Sequence, residues 1–142
     1  MTTIYADTSF FVSIYVQDGH SAAAQELMNL NPRLWFCPLH LAECFHAIAQ
    51  LVFYRRMSAA DAQDIYRHLR SDQTAGLWIE TPMPEKAFDL CADLARRYGP
   101  KLGVRTLDSL HVACALELRA EQFWTFDERQ ARLARAAGLK TS

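Results

Sequence analysis

The 142 residues are 51% hydrophobic and 22% charged, which excludes an intrinsically disordered chain and matches an ordinary globular protein. That length supports one buried core and falls short of two, so residues 1–142 are expected to form a single domain. No apolar run approaches the ~20 residues a membrane helix needs, and a formal net charge of −1 provides no global basic field for nucleic acid.

Taken in chain order, strand and helix signals alternate. Thr3-Ile4-Tyr5-Ala6 predicts a first strand with Asp7 at its end. The apolar start from Met1 to Val16 has no basic leader and is interrupted by Asp7, so a signal peptide is not expected. Thr8 or Ser9 suits the cap of a short helix through Val16. Asp18-Gly19 predicts a turn, and a helix follows from about His20 to Asn29 until Asn31-Pro32 breaks it. Leu34-Trp35-Phe36-Cys37 is the next strand. From Leu39 to about Arg56 the apolar residues are too dense for a surface helix, which predicts a largely buried one.

Ser58 with Asp61 and Asp64 opens another helix, ending near Gly76, and Leu77–Glu80 reads as a strand. After Pro82 and Pro84 a helix is expected from Glu85 to Tyr98, stopped by Gly99-Pro100. Thr106–Arg119 predicts a helix, Gln122–Phe126 a strand, and Glu128–Ala137 a last helix before Gly138. The expected fold class is therefore α/β, a three-layer α/β/α sandwich around a central, mainly parallel sheet. Such folds place their sites outside the carboxyl ends of the strands.

That rule selects acids. Asp7 and Asp127 each end a predicted strand, and Asp108 lies in the first turn of a helix that starts at the same edge. Glu43 is about one turn into the densest apolar helix, where an ionised carboxylate is costly unless paired or metal-bound. Each has a bland reading: Asp7 and Asp127 as helix caps, Asp108 as a complement to the helix dipole. Glu43, amid Leu39, Leu41, Ala42, Phe45 and Ala49, lacks an obvious partner. Four converging acids repel one another unless a cation holds them. Carboxylates without a Cys/His cluster favour Mg²⁺ or Mn²⁺ over zinc, and the chemistry implied is phosphodiester hydrolysis.

Other residues carry less. Cys37, Cys44, Cys91 and Cys114 form no CxxC pair and read as reduced, buried thiols of a cytosolic protein. Trp35, Trp78 and Trp124, in or beside strands, read as core. Lys86, Lys101 and Lys140 are the lysines among fifteen basic residues, and the rest are arginine. Arg55, Arg56, Arg67 and Arg70, and again Arg96, Arg97, Lys101 and Arg105, are candidate RNA contacts or simply solvated helix faces. His40 and His46 flank Glu43 without an HExxH pattern, so a zinc protease is not expected.

Four stretches together resemble the PIN-domain ribonucleases, and especially the VapC-type toxins of bacterial and archaeal toxin–antitoxin pairs. They are Ile4-Tyr5-Ala6-Asp7-Thr8-Ser9, Pro38-Leu39-His40-Leu41-Ala42-Glu43, Leu107-Asp108-Ser109-Leu110-His111-Val112-Ala113-Cys114-Ala115, and Thr125-Phe126-Asp127. The resemblance spans nearly the whole chain in order. It implies a Mg²⁺- or Mn²⁺-dependent endoribonuclease with Asp7, Glu43, Asp108 and Asp127 as its acidic, metal-holding positions. It also implies Ser9 and Thr125 as accompanying hydroxyls that orient ligands or water.

His111, three residues after Asp108 and on the same helix face, is either a structural histidine or a support for the cluster. The resemblance further implies an RNA substrate, a cognate antitoxin covering the site, a homodimer and a cytoplasmic location. The apolar helices around Leu39–Tyr54 and Ala87–Leu94 could serve the core, a second subunit or an antitoxin.

Other classes fit less well. A haloacid-dehalogenase-like phosphatase needs a second Asp two residues after the first, where this chain has Ser9. A phosphorylation receiver needs a late lysine followed by proline, and Lys140 is followed by Thr141. The alternative that survives is a non-catalytic PIN-like RNA- or protein-binding module, whose mark would be loss of acidic positions.

Overall fold

A computed structural model describes residues 2–142. Five strands, β1 (Thr3–Ala6), β2 (Arg33–Phe36), β3 (Ile79–Glu80), β4 (Gln122–Trp124) and β5 (Lys140–Thr141), form one parallel sheet in the order β3-β2-β1-β4-β5. The helices are α1 (Thr8–Tyr15), α2 (Ser21–Met28), α3 (Pro38–Phe53), α4 (Ala59–Thr74), α5 (Ala87–Leu102), α6 (Thr106–Glu117) and α7 (Glu128–Ala136). The chain winds outward from β1 to β3, then returns to pair β4 with the other side of β1, Tyr5 opposite Phe123. The switch point between β1 and β4 is thus at the centre of the sheet.

Strand alternation divides the core in two. Ile4, Ala6 and Trp124 face a cluster with Phe10 and Phe11 of α1, Ala24 of α2, Cys44 of α3 and Leu69 of α4. Tyr5 and Phe123 face the opposite cluster, made with Cys91 and Leu94 of α5, Val112 and Cys114 of α6 and Leu133 of α7. The three-layer α/β/α architecture expected from the alternation of elements is the one observed.

Local details depart from the expectation. Helix α5 runs through Gly99-Pro100 and ends where Gly103 adopts φ 64°, its N–H donating to the Gly99 carbonyl at 2.8 Å. Pro100 lies in the last turn, where its missing N–H forfeits one helical bond and its fixed φ suits the helix. Strand β4 stops at Trp124 rather than Phe126, because the Asp127 N–H turns back to the Thr125 hydroxyl at 3.0 Å. Helix α3 buries only one stripe, His40, Cys44 and Ile48, while Phe53 at its end is 77% exposed. Its density of apolar residues therefore overstated its burial. Strand β5 was not expected.

All four cysteines are free and buried, and burial, with Glu43 and Asp7 nearby, pushes the Cys44 thiol up to about 12. Trp78 and Trp124 are core and Trp35 packs partly buried against it; the indole N–H groups of Trp35 and Trp78 have no hydrogen-bond partner among the described residues. Among the described residues, no helix is long and apolar enough to cross a membrane.

Candidate active site

Asp7 follows the central strand directly, and its backbone N–H continues the ladder to the Trp124 carbonyl at 3.0 Å. Its side chain caps α1, Oδ1 accepting the Phe10 N–H at 3.3 Å, while the Ser9 hydroxyl donates to the same carboxylate at 2.8 Å. The cap is thus Asp7, not Thr8 or Ser9. Burial raises the Asp7 pKa above the usual carboxylate value, and the bonds from Ser9 and Phe10 offset this only in part.

Glu43 comes from α3, and it has the partners that the sequence did not reveal. Thr8 Oγ1 donates to its Oε1 at 2.8 Å, and His111 Nε2, from α6, donates to the same oxygen. A carboxylate only accepts, so His111 Nδ1 is left to accept the Tyr5 hydroxyl, at 2.7 Å. Burial raises the Glu43 pKa, but the hydrogen bonds from His111 and Thr8 outweigh it and hold the carboxyl below its usual value. His111 thus bonds directly to Glu43.

Asp108, in the first turn of α6, has a carboxylate that makes no hydrogen bond with the described residues; its backbone carbonyl accepts from Gln130 Nε2 at 3.2 Å. Its pKa is raised by burial first and then by the charge of Asp127. Glu43 adds to the rise, while Arg105 opposes it. Asp127 caps α7 by accepting the Gln130 N–H at 3.1 Å. The Thr125 hydroxyl donates to Gln130 Oε1 at 2.7 Å and stands 3.4 Å from Asp7 Oδ2, so its single proton serves Gln130.

These acids meet at one edge. Asp7, Ser9, Glu43, Arg105, Asp108 and Asp127 line a cavity of ≈ 710 Å³. An adjoining cavity of ≈ 320 Å³ shares Asp7, Ser9, Glu43 and Asp108 and adds Thr8, His20 and His111. Every predicted acid is therefore at the cleft, and so are Ser9 and His111, whereas Thr125 acts from behind through Gln130. Arg67 pairs with Asp64, and Arg96 and Arg97 with Asp93, all along their own helices. Those arginines are solvated faces; Arg105 is the one of these groups that lines the acidic cavity.

Three contributors escaped the sequence reading. Thr8 was seen only as a cap candidate, and Tyr5 only as a strand residue. His40 is fully buried and donates from Nε2 to the Ala6 carbonyl at 2.7 Å, fixing the backbone just before Asp7. No local signal announces these roles, since Tyr5 and His111 are 106 residues apart.

The donor set is compatible with a hard divalent cation. Among the described residues no three His, Cys, Asp or Glu side chains are gathered closely enough to enclose an ion. Mg²⁺, however, takes one or two carboxylates and keeps several waters. The Asp108 carboxylate, pressed by Asp127 and Glu43 and without a direct ion pair among the described residues, is an available oxygen donor.

The sequence profile of the PIN domain matches residues 4–136. The chain belongs to the PIN domain family. Similar folds among solved structures include VapC20 of Mycobacterium tuberculosis, a sarcin–ricin-loop-cleaving toxin (TM-score 0.70, 16% identity, 96% of each chain covered). FitAcB from Neisseria gonorrhoeae has a TM-score of 0.71 at 16% identity, over 98% of this chain and 96% of that one. VapBC2 from Rickettsia felis, bound to a fragment of promoter DNA, has a TM-score of 0.66 at 14% identity, over 99% and 98%. At such identities the likeness to this PIN domain is one of fold. Among curated proteins, none matches.

Proposed function

We propose that this PIN domain is a Mg²⁺- or Mn²⁺-dependent endoribonuclease and the toxin of a VapBC-type toxin–antitoxin pair. The observation that carries the reading is the common cavity lined by Asp7, Glu43, Asp108 and Asp127, at the sheet's carboxyl edge beside its switch point. An ion held by these carboxylates would supply Lewis acidity, lowering the pKa of a water and offsetting charge at phosphorus.

The chain's own residues prepare that chemistry. Ser9 fixes the rotamer of Asp7, and Thr8 with His111 aims one oxygen of Glu43 inward while the other stays available. Gln130, held by Thr125, ties the start of α7 to the backbone of Asp108, so Asp108 and Asp127 keep their spacing. Arg105 at the cavity wall would neutralise a substrate phosphate.

The toxin assignment draws on the VapC and Fit neighbours, of which FitAcB and VapBC2 were crystallised with their antitoxins. We assign the chain a cognate antitoxin, a homodimeric state, a cytoplasmic location and a single PIN unit across residues 1–142 on the same basis. The test is cleavage of a mixed RNA pool, containing structured transfer and ribosomal RNAs, by antitoxin-free protein in Mn²⁺ or Mg²⁺. Discrete products that vanish with EDTA and in Asp7→Asn support the reading. A folded, metal-binding protein that cuts nothing refutes it and leaves a non-catalytic binding module.

A further inference from the structure

A column of aromatic rings runs from the core to the rim of the acidic cleft and stops at an exposed imidazole. Trp124 lies 5.4 Å from Phe10 between ring centroids, and Phe10 stacks on Phe126 at 6.1 Å and 22°. Phe126 in turn carries His20, at 4.4 Å with the two planes only 4° apart. Trp124 and Phe10 are buried, Phe126 is half-buried and His20 is exposed. One face of the imidazole is therefore covered by Phe126 and the accessible face is the other.

The backbone that carries the ring is also fastened in place. Asp18 Oδ1 accepts the His20 N–H at 2.8 Å, and Asp18 Oδ2 accepts the Ser13 hydroxyl at 2.9 Å, tying the turn before α2 to α1. His20 lines the ≈ 320 Å³ cavity together with Asp7, Glu43 and Asp108. A flat, preorganised aromatic surface thus stands beside the carboxylates.

We propose that His20 is a stacking platform for an unpaired nucleobase adjoining the phosphate addressed by the acids; this rests on the ribonuclease reading. A splayed-out base adds the next layer to a stack that already ends in a parallel ring, and histidine is among the side chains on which such bases stack. Because the ring is already held by Phe126 and the Asp18 turn, little side-chain freedom is lost on binding. The need for such a contact follows from the charge: a net −1 chain with acids at its cleft gains little from phosphate electrostatics alone. Bases inside a duplex present only their edges, so the platform selects single-stranded or looped RNA. A hairpin loop or an end supplies such a base.

The test uses the full chain in the non-cutting Asp7→Asn background, with an oligoadenylate carrying 2-aminopurine as probe, alone or annealed to oligouridylate. Stacking on His20 is expected to quench the single-stranded probe and not the duplex. His20→Ala should lose the quench and weaken binding about tenfold, whereas His20→Phe retains both. A merely structural ring would give no quench, and His20→Ala would then bind as tightly as His20. That result, or a His20→Phe variant as weak as His20→Ala, overturns the proposal.

Cleavage of the mixed RNA pool by the native chain separates the two claims. If it cuts while His20→Ala binding is unchanged, only the platform falls. If it cuts nothing with metal bound, the ribonuclease reading and the platform fall together.

Discussion

Replacing His111 with Phe keeps a ring of similar size in a fully packed position and removes every hydrogen bond the imidazole makes. The Tyr5 hydroxyl, fully buried, loses its 2.7 Å acceptor and keeps only the Cys37 sulfur at 3.8 Å. An unsatisfied buried donor of this kind costs about 1–3 kcal/mol. Glu43 loses its imidazole donor but retains Thr8, and its side chain is 26% exposed, so water recovers part of the loss. That adds about 1 kcal/mol.

The expected destabilisation is therefore about 2–4 kcal/mol with no cavity contribution. Urea unfolding at pH 7 reads it as a shift in midpoint at constant m. Tyr5→Phe provides the control: it should cost about 1–2 kcal/mol in the native background and recover about 1–3 kcal/mol beside His111→Phe, since it removes the hydroxyl that substitution leaves unpaired. Fully additive costs, or a His111→Phe loss under about 0.5 kcal/mol, would refute the argument that this chain of bonds holds Glu43.

Further outcomes follow from the acids and the backbone. Saturating Mn²⁺ or Mg²⁺ should stabilise the protein by about 2.7 kcal/mol at a hundred times Kd. Asp108→Asn should weaken that binding about tenfold, cutting the gain by about 1.4 kcal/mol, read by thermal unfolding without any RNA. The folded protein binds protons at Asp7 and Asp108 more tightly than the unfolded chain, because both pKa values are raised from 3.8. Metal-free stability should thus rise as pH falls from 7 toward about 4.5, and saturating metal should reverse this trend because it competes with those protons. Glu43 works in the opposite sense: its carboxyl lies below 4.5, so its contribution is lost only as pH falls through that lowered value. Urea midpoints between pH 7 and 4 with and without metal check both signs. At the end of α5, Gly103 has φ 64°, and a Cβ added there would meet nothing within 4 Å. Gly103→Ala should cost about 1–2 kcal/mol from backbone conformation alone, and Gly103→Asn less, both read as shifts in the urea midpoint.

Asp7, Asp108 and Asp127 were legible because each stands where a pattern changes, at a strand end or a helix start, and Glu43 because it is an acid set within an apolar helix. Asp7 after Thr3–Ala6 and Asp127 after the Phe123-Trp124 pair needed only the parallel-sheet rule to be put on one edge. The partners of Glu43 were not legible, since Thr8 and His111 reach it from elements 35 and 68 residues away and no spacing encodes that. Burial of α3 was misread for a related reason: apolar density says how much surface wants covering, not how much the neighbours cover, and Phe53 stays exposed. The Leu77–Glu80 signal found β3, but the two-residue β5 falls below any periodic signal, since pairing with β4 alone defines it. Gly99-Pro100 carried a stop signal that the last turn of α5 could absorb at small cost.

The placement of β4 beside β1 also has a meaning in time. Asp7 leaves the ribosome 115 residues before the strand that puts Asp127 next to it begins at Gln122. At about 5–20 residues per second, several seconds of synthesis separate the two. Until then β1 lacks its second neighbour and the acidic cavity lacks a wall, so unfinished chains and fragments broken before residue 122 carry no complete cavity. A cell making this protein thus holds no assembled site until Asp127 has been translated.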